Sequence, residues 1–382
     1  MLATWFYRNA VRPCLFLLEP EDAHDLVANL LPASVPMLSI GKDLIFSDRV
    51  EAALPRLTTT LVKNALANPV GLAAGLDKNA NFVSLWSSFG FGFAEIGSVT
   101  AAPSVGNEKP RLFRLAQDQA VINRMGLNGD GAECVSRRLA AMNRSHSLGP
   151  LALNIAKSNL PDLHGDAAVA DLLSTFRCFQ DSNLAYVTIN TSCPNTHDGA
   201  LSEISQFREI LRAINAANHK AFPLFLKLSP DSTDEFIAMI LASVRELAIP
   251  IAGFVCGNTT VTRPNLSTSA ARLAGIGRGG LSGRPLNTLM LTQVKKLNEL
   301  KDPEQQIIAC GGIASAADVV AALAAGATVV QLYTALIYHG PFIVMEILAD
   351  LALALAKANT TVSELVGNQK LGEQVATSLG LG

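Results

Sequence analysis

Val319-Val-Ala-Ala-Leu-Ala-Ala-Gly-Ala-Thr-Val-Val-Gln-Leu-Tyr-Thr-Ala-Leu-Ile-Tyr338 is an uncharged run whose reading decides the fold. On length alone it could be a transmembrane helix, which takes about 20 apolar residues. Its interior points elsewhere. Ala324-Ala325-Gly326-Ala327 breaks the pattern, and β-branched Thr328-Val329-Val330 follows. Helix, tight turn and buried strand is the reading these residues favour.

The same alternation runs back through the chain. Apolar, β-rich runs recur at 70–73, 93–97, 151–155, 186–189, 224–228, 251–256, 307–310 and 329–332. Helix-like stretches follow them, for example at 201–217, 234–247, 286–300 and 314–325. Eight strands alternating with eight helices is the count of a (β/α)8 TIM barrel, an α/β fold. Near-continuous hydrophobic strands suit a parallel sheet covered on both faces. A doubly wound sheet competes, but Val70-Gly-Leu-Ala-Ala-Gly75 lacks the GxGxxG spacing of its first turn. Two insertions stand out. Arg111-Leu-Phe-Arg-Leu115 and Ala120-Val-Ile122, joined by 116–119, read as a hairpin above the second strand. The stretch 261–280 separates the sixth strand from its helix. Both belong at the C-terminal face, where barrel enzymes carry their chemistry.

Of the 382 residues 49% are apolar and 16% charged, enough for a large core. The net charge of −2 gives no nucleic-acid footprint. Six scattered cysteines without a CxxC pair suit a reducing compartment, with neither a disulfide framework nor structural zinc. The six histidines show no HExxH or other ligand spacing, so no metal site is expected.

The first forty residues differ from the rest. Trp5, Phe6, Val11, Cys14, Leu15, Phe16 and Leu18 form a greasy segment that also carries Arg8 and Arg12. A second begins at Glu19-Pro20-Glu21-Asp22, sets Ala23, Leu26, Val27, Leu30 and Leu31 at helical spacing, and stops at Pro32. Each is too short and too charged to span a bilayer. Such helices either lie at a membrane interface or pack on the main domain, and composition leaves both open. No small-residue cleavage site follows a continuous apolar core, so no secretory signal is expected. The division read from this is a helical extension over 1–45 and a barrel over 46–382.

The expected strand ends carry polar groups. Ala73-Ala-Gly-Leu-Asp-Lys78 ends the first strand, the third offers Asn154 and Lys157, and the fifth contains Lys227. The fourth runs into Asn190-Thr-Ser-Cys193-Pro194-Asn195-Thr196, where proline forces the backbone to turn. Asparagine can read a planar ligand of alternating C=O and N–H groups, and a deprotonated cysteine can act as nucleophile or base. The plain alternative is a turn with a buried cysteine. Asn258-Thr259-Thr260 follows the sixth strand, Gly311-Gly312 the seventh and Tyr333-Thr334 the eighth. Glycines and a hydroxyl at the last two ends make the phosphate cradle of many barrels. A flavin mononucleotide (FMN) fits, with small residues 73–75 against its ring. A lysine inside a strand is costly unless paired, and a negatively charged flavin edge would pair Lys227. A Schiff-base lysine is the alternative, and it leaves the asparagines and Cys193 without a role.

Longer motifs carry a resemblance. Gly71-Leu-Ala-Ala-Gly-Leu-Asp-Lys-Asn79, Pro110-Arg-Leu-Phe-Arg114, Asp118-Gln-Ala-Val-Ile-Asn-Arg-Met-Gly126, Asn258-Thr-Thr260, Gly279-Gly-Leu-Ser-Gly283 and Gln331-Leu-Tyr-Thr334 look like the membrane-associated, quinone-dependent class 2 dihydroorotate dehydrogenases. The likeness covers nearly the whole chain, including Glu19-Pro-Glu-Asp-Ala-His24. It implies an FMN-bearing barrel with a quinone tunnel in the N-terminal helices. FMN contacts would fall on Ala74, Gly75, Ser98, Asn154, Asn190, Lys227, Gly257, Gly283, Gly312, Tyr333 and Thr334. Substrate contacts would fall on Lys78, Asn123, Arg124, Met125, Gly126, Leu127, Asn190, Asn195, Asn258 and Thr259. The quinone would lie near His24 and Arg114. The activity implied is oxidation of dihydroorotate to orotate at a membrane surface, on the cytoplasmic face of the inner membrane, with Cys193 as general base. The family's usual residue at 193 is serine. Other departures are Leu127 for an aromatic, Ala156 for a glycine, Gly257 for a threonine, and a 197–202 loop without Gly-Leu-Arg. A second reading is a paralogue on the same scaffold that oxidises another dihydro-heterocycle or cyclic amide. A flavin-binding barrel without catalysis is a third reading, against which Lys78, Asn195 and Asn258 speak.

Overall fold

A computed structural model describes residues 2–142, 149–190 and 204–380. Eight parallel strands close a barrel in chain order: β1 (Val70–Leu72), β2 (Phe93–Val99), β3 (Leu151–Ile155), β4 (Tyr186–Asn190), β5 (Leu224–Leu228), β6 (Ile251–Cys256), β7 (Gln306–Cys310) and β8 (Val329–Leu332). Their near-continuous apolar character follows from burial on both sides, by barrel contents within and helices without. The opening run resolves as helix Ala316–Ala324, a turn at Gly326 and strand β8. No described helix is long and apolar enough to cross a membrane.

Helices Ala132–Met142, Gly165–Arg177, Ile204–Ala217, Asp234–Leu247, Asn287–Leu300, Ala316–Ala324 and Ile343–Lys357 follow β2 to β8. The first crossover departs from the expected eight. It is a 3-10 stretch, Val83–Phe89, rich in serine and aromatic residues that favour a helix weakly. Asp77 holds its start, accepting from the backbone N–H of Asn81 at 2.7 Å and of Phe82 at 3.0 Å, and from the Trp86 indole at 3.0 Å.

A small hairpin, Thr59–Leu61 with Asn64–Leu66, plugs the lower end of the barrel. Its Leu61 and Leu66 pack with Phe93, Tyr186, Phe225 and Val255. Gln306 ties it down, accepting from Val62 N at 2.6 Å and donating to Thr60 O at 3.2 Å.

The expected upper hairpin is present as Leu112–Leu115 and Ala120–Asn123. The second insertion adds a third strand to it, Gly280–Gly283, so the two excursions form one sheet over the C-terminal face. At the N-terminus a helical run over 2–17 carries a π-helical turn, Tyr7–Val11, and is followed by helix Pro20–Leu30. A third helix, Val35–Ile45, was not foreseen. Its Leu38 is fully buried in the main core, while Met37, Ile40 and Leu44 stay exposed. Tyr7 and Arg12 donate to the carbonyls of Ile337 and Tyr338, clasping the first helical run to the barrel.

Candidate active site

A chamber of about 610 Å³ opens at the C-terminal ends of the strands, beneath the three-stranded sheet and beside helix Pro20–Leu30. The β1 end contributes Ala74, Gly75 and Lys78 to its wall. Lys78 donates to the side-chain carbonyl of Asn128. Asn190 ends β4 directly opposite Lys227 on β5, and both reach the chamber. Lys227 is only 5% exposed. Cys310 lies close by; burial pushes its thiol pKa up, Lys227 works against that shift, and Glu95 adds to it.

A polar chain forms the chamber's floor. Asn258 donates to Asn190 Oδ1 at 3.3 Å, and Asn190 donates to Ser98 Oγ at 3.1 Å. Ser98 donates to Asn154 Oδ1, and Asn154 donates to Glu95 Oε1 at 2.7 Å. Asn154 therefore stands behind Ser98 and does not line the chamber.

Gly283, Gly312, Tyr333 and Thr334 also line the chamber. Gly312 has φ +70, and a Cβ there would come within 2.6 Å of Asn287 N, so this ledge is bare backbone by necessity. Asp318 braces it by accepting from Ala314 N at 3.0 Å, Ser315 Oγ at 2.8 Å and the Asn287 amide at 3.3 Å. Thr334 donates to Ser282 Oγ at 2.9 Å. Burial pushes the Tyr333 hydroxyl up to about 12, which keeps it a neutral donor. Gly257 does not line the chamber; a Cβ there would meet the Cys310 carbonyl oxygen at 1.8 Å.

The sheet above supplies Asn123, Met125, Gly126 and Leu127 to the wall. Arg124, between them in sequence, turns the other way. Its guanidinium donates to the carbonyls of Ile276 at 2.7 Å and Pro110 at 3.0 Å, and lies over the Phe113 ring. Thr259 borders the chamber with Asn258. Cys193 and Asn195 lie outside the described residues. His24 lines the mouth from helix Pro20–Leu30, its Nδ1 3.3 Å from Asp25. Arg114 does not reach the chamber. It donates to the carbonyls of Leu15 and Leu18 and covers the Phe16 ring, joining the upper sheet to the N-terminal helices.

Two buried oxygens on the chamber wall, Thr259 Oγ1 and Gln331 Oε1, have no hydrogen-bond partner among the described residues. Buried polar atoms of this kind are normally satisfied, so they point to a polar occupant. With a backbone ledge on one side and a lysine and amides on another, the donor set fits a phosphorylated planar ring such as FMN. Glu95 is the residue sequence reasoning missed. It sits in β2 as the lone charge among Phe93, Ala94 and Ile96, the same signal that singled out Lys227.

Residues 56–355 match the family model described as dihydroorotate dehydrogenase. A relative from Thermosynechococcus vestitus, named dihydroorotate dehydrogenase (quinone), is 43% identical, with 91% of this chain and 96% of the relative aligned. One of the same name from Kineococcus radiotolerans is 37% identical over 93% of this chain and 97% of its own. The crystal structure of the Eimeria tenella enzyme in complex with ferulenol superposes with a TM-score of 0.75 at 31% identity, covering 92% of this chain and 96% of that one.

Proposed function

Because the chain belongs to the dihydroorotate dehydrogenase family, we propose that it oxidises (S)-dihydroorotate to orotate, holds FMN, and delivers the electrons to a membrane quinone. That reaction belongs to de novo pyrimidine biosynthesis. The observation that carries this reading is the convergence on one chamber of Asn190, Asn258 and Lys227 with the backbone ledge at Gly283 and Gly312.

In this reading Cys193 Sγ, once deprotonated, takes the proton from one ring carbon while the neighbouring carbon gives up a hydride. A bound FMN supplies the acceptor for that hydride and the route by which the pair reaches quinone. Ala74, Gly75, Ser98, Asn190, Lys227, Gly283, Gly312, Tyr333 and Thr334 hold it, with Asn154 and Gly257 in support. Lys78 brings positive charge to an anionic substrate, and the amides of Asn123, Asn190, Asn195 and Asn258 read the carbonyl and N–H edge of its ring. Met125, Gly126, Leu127 and Thr259 close around it. Arg124 serves indirectly, by holding this loop to the 276–278 backbone.

Residues 1–45 form the quinone-tunnel domain, and 46–382 form the FMN-binding barrel. Among the large apolar side chains exposed on the described surface, Trp5, Phe6, Leu17, Leu30, Ile40 and Leu44 all lie in this extension. Such a surface favours peripheral contact with a lipid face. The free cysteines suit the reducing, cytoplasmic side of the inner membrane. His24 at the chamber mouth meets the quinone, and Arg114 fixes the helices that guide it.

Anaerobic mixing of FMN-loaded protein with dihydroorotate should bleach the flavin absorption within one turnover. A loaded sample that keeps its colour would remove dihydroorotate as the substrate. The scaffold would then serve another dihydro-heterocycle or cyclic amide, with Leu127 as the first pocket residue to examine.

A further inference from the structure

Glu95 is fully buried inside the barrel and does not border the chamber. Three donors converge on its carboxylate. Asn154 Nδ2 reaches Oε1 at 2.7 Å, while Gln331 Nε2 at 2.7 Å and Tyr186 OH at 3.0 Å reach Oε2. Gln331 Nε2 also lies 3.2 Å from the Tyr186 hydroxyl, so the second oxygen is clamped from two strands. All three partners donate, so both carboxylate oxygens act as acceptors.

That asymmetry propagates. Facing an acceptor, Asn154 must turn its NH2 toward Glu95 and its carbonyl toward Ser98. The Ser98 proton is then committed to Asn154, and its lone pair faces Asn190. Asn190 in turn spends an N–H on Ser98 and offers Oδ1 to Asn258. Asn258 Oδ1 finally accepts from Thr259 N at 2.9 Å. Every donor in the chain points toward Glu95. An amide can flip at little cost in shape; the Thr259 N–H already fixes Asn258, so it is at Asn190 that the sense handed on by Ser98 matters.

We infer that Glu95 is a positioning residue: through Asn154 and Ser98 it sets the donor–acceptor sense in which Asn190 meets the substrate ring. The inference rests on the proposed function for the ring that Asn190 meets.

The test uses Glu95→Gln and the double variant Glu95→Gln/Asn154→Asp, both saturated with FMN. Glutamine keeps the shape of glutamate but can present either an N–H or a carbonyl to Asn154. In the double variant the carboxylate sits one link higher, where it again only accepts from Ser98. Orotate affinity is read from the change in flavin absorption on titration. Glu95→Gln should bind orotate about tenfold more weakly, the size expected when buried amides lose their matched partners. KM for dihydroorotate should rise more than kcat falls. The double variant should return to within about threefold of wild type, a rescue that a merely structural role does not give. Unchanged orotate affinity in Glu95→Gln overturns the inference. So does a folded double variant no tighter than the single one; should the single variant not fold, a double variant about tenfold weaker than wild type overturns it. A wild type blind to orotate would sink the substrate reading instead. FMN affinity, read by free-flavin fluorescence, then decides, since Ser98 and Asn190 belong to the same chain; an FMN affinity unchanged in Glu95→Gln would overturn the inference.

Discussion

A thiol and a hydroxyl differ as bases chiefly in the pH at which each releases its proton. A free cysteine does so near pH 8.5, far below a serine. With Cys193 as the base, flavin reduction by dihydroorotate should rise through about pH 8 to 9 and then level off. A profile that begins to rise only well above that range would place the proton elsewhere. Cys193→Ala should keep FMN bound and lower the reduction rate by about a hundredfold or more; stopped-flow absorbance measures both, and full activity would refute the role. At this scale the sequence was readable where a polar residue interrupts an apolar strand or follows its end. Asn190, Lys227 and Asn258 were found that way and meet in one chamber. Glu95 carries the same mark, but its partners on β3, β4 and β8 come together only through strand register. Arg124 was legible as part of a motif, whereas its direction depends on carbonyls some 150 residues away.

The N-terminal helices are held by a clasp with a pH dependence of its own. Arg8 donates to His339 Nδ1 on the short helix Thr334–His339. Burial first, then the charges of Arg8, Arg12 and Arg284, push the His339 pKa down to about 4 against the opposing pull of Glu346. The native ring is thus neutral, while the unfolded chain takes up a proton at His339 below about pH 6.5. The stability gained from this residue is therefore full above that pH and drains away as pH falls toward about 4. His339→Asn keeps an acceptor for Arg8 but cannot titrate, so its melting temperature should fall less steeply between pH 7 and 5 than that of wild type. Equal slopes by calorimetry would show that other groups carry the effect. Elements proved legible in proportion to their periodicity. The barrel strands and long helices stand where their patterns put them. The Val35–Ile45 helix was missed because Pro32 read as a stop with nothing helical expected after it, while Pro36 falls in a first turn that tolerates proline. The strand Gly280–Gly283 was missed because two of its four residues are glycine.

At the level of the whole molecule, the extension and the barrel are separable only at a particular place. Removing residues 1–31 should abolish quinone reduction and binding to lipid vesicles while sparing flavin reduction by dihydroorotate. Normal quinone reduction in that variant would refute the tunnel. A cut after residue 45 should also destabilise the barrel by about 3 kcal/mol or more, because it empties the fully buried Leu38 site. Chemical denaturation distinguishes the two truncations. Overall architecture was the most legible level, since eight doubly buried strands leave a repeating trace; the plug, built from three-residue strands, left none. That plug has a consequence for access. With Leu61 and Leu66 filling the lower end, nothing of nucleotide size passes through the barrel from below. Above, the Pro20–Leu30 helix forms part of the chamber wall. Any occupant of the chamber therefore enters on the C-terminal side, beside that helix.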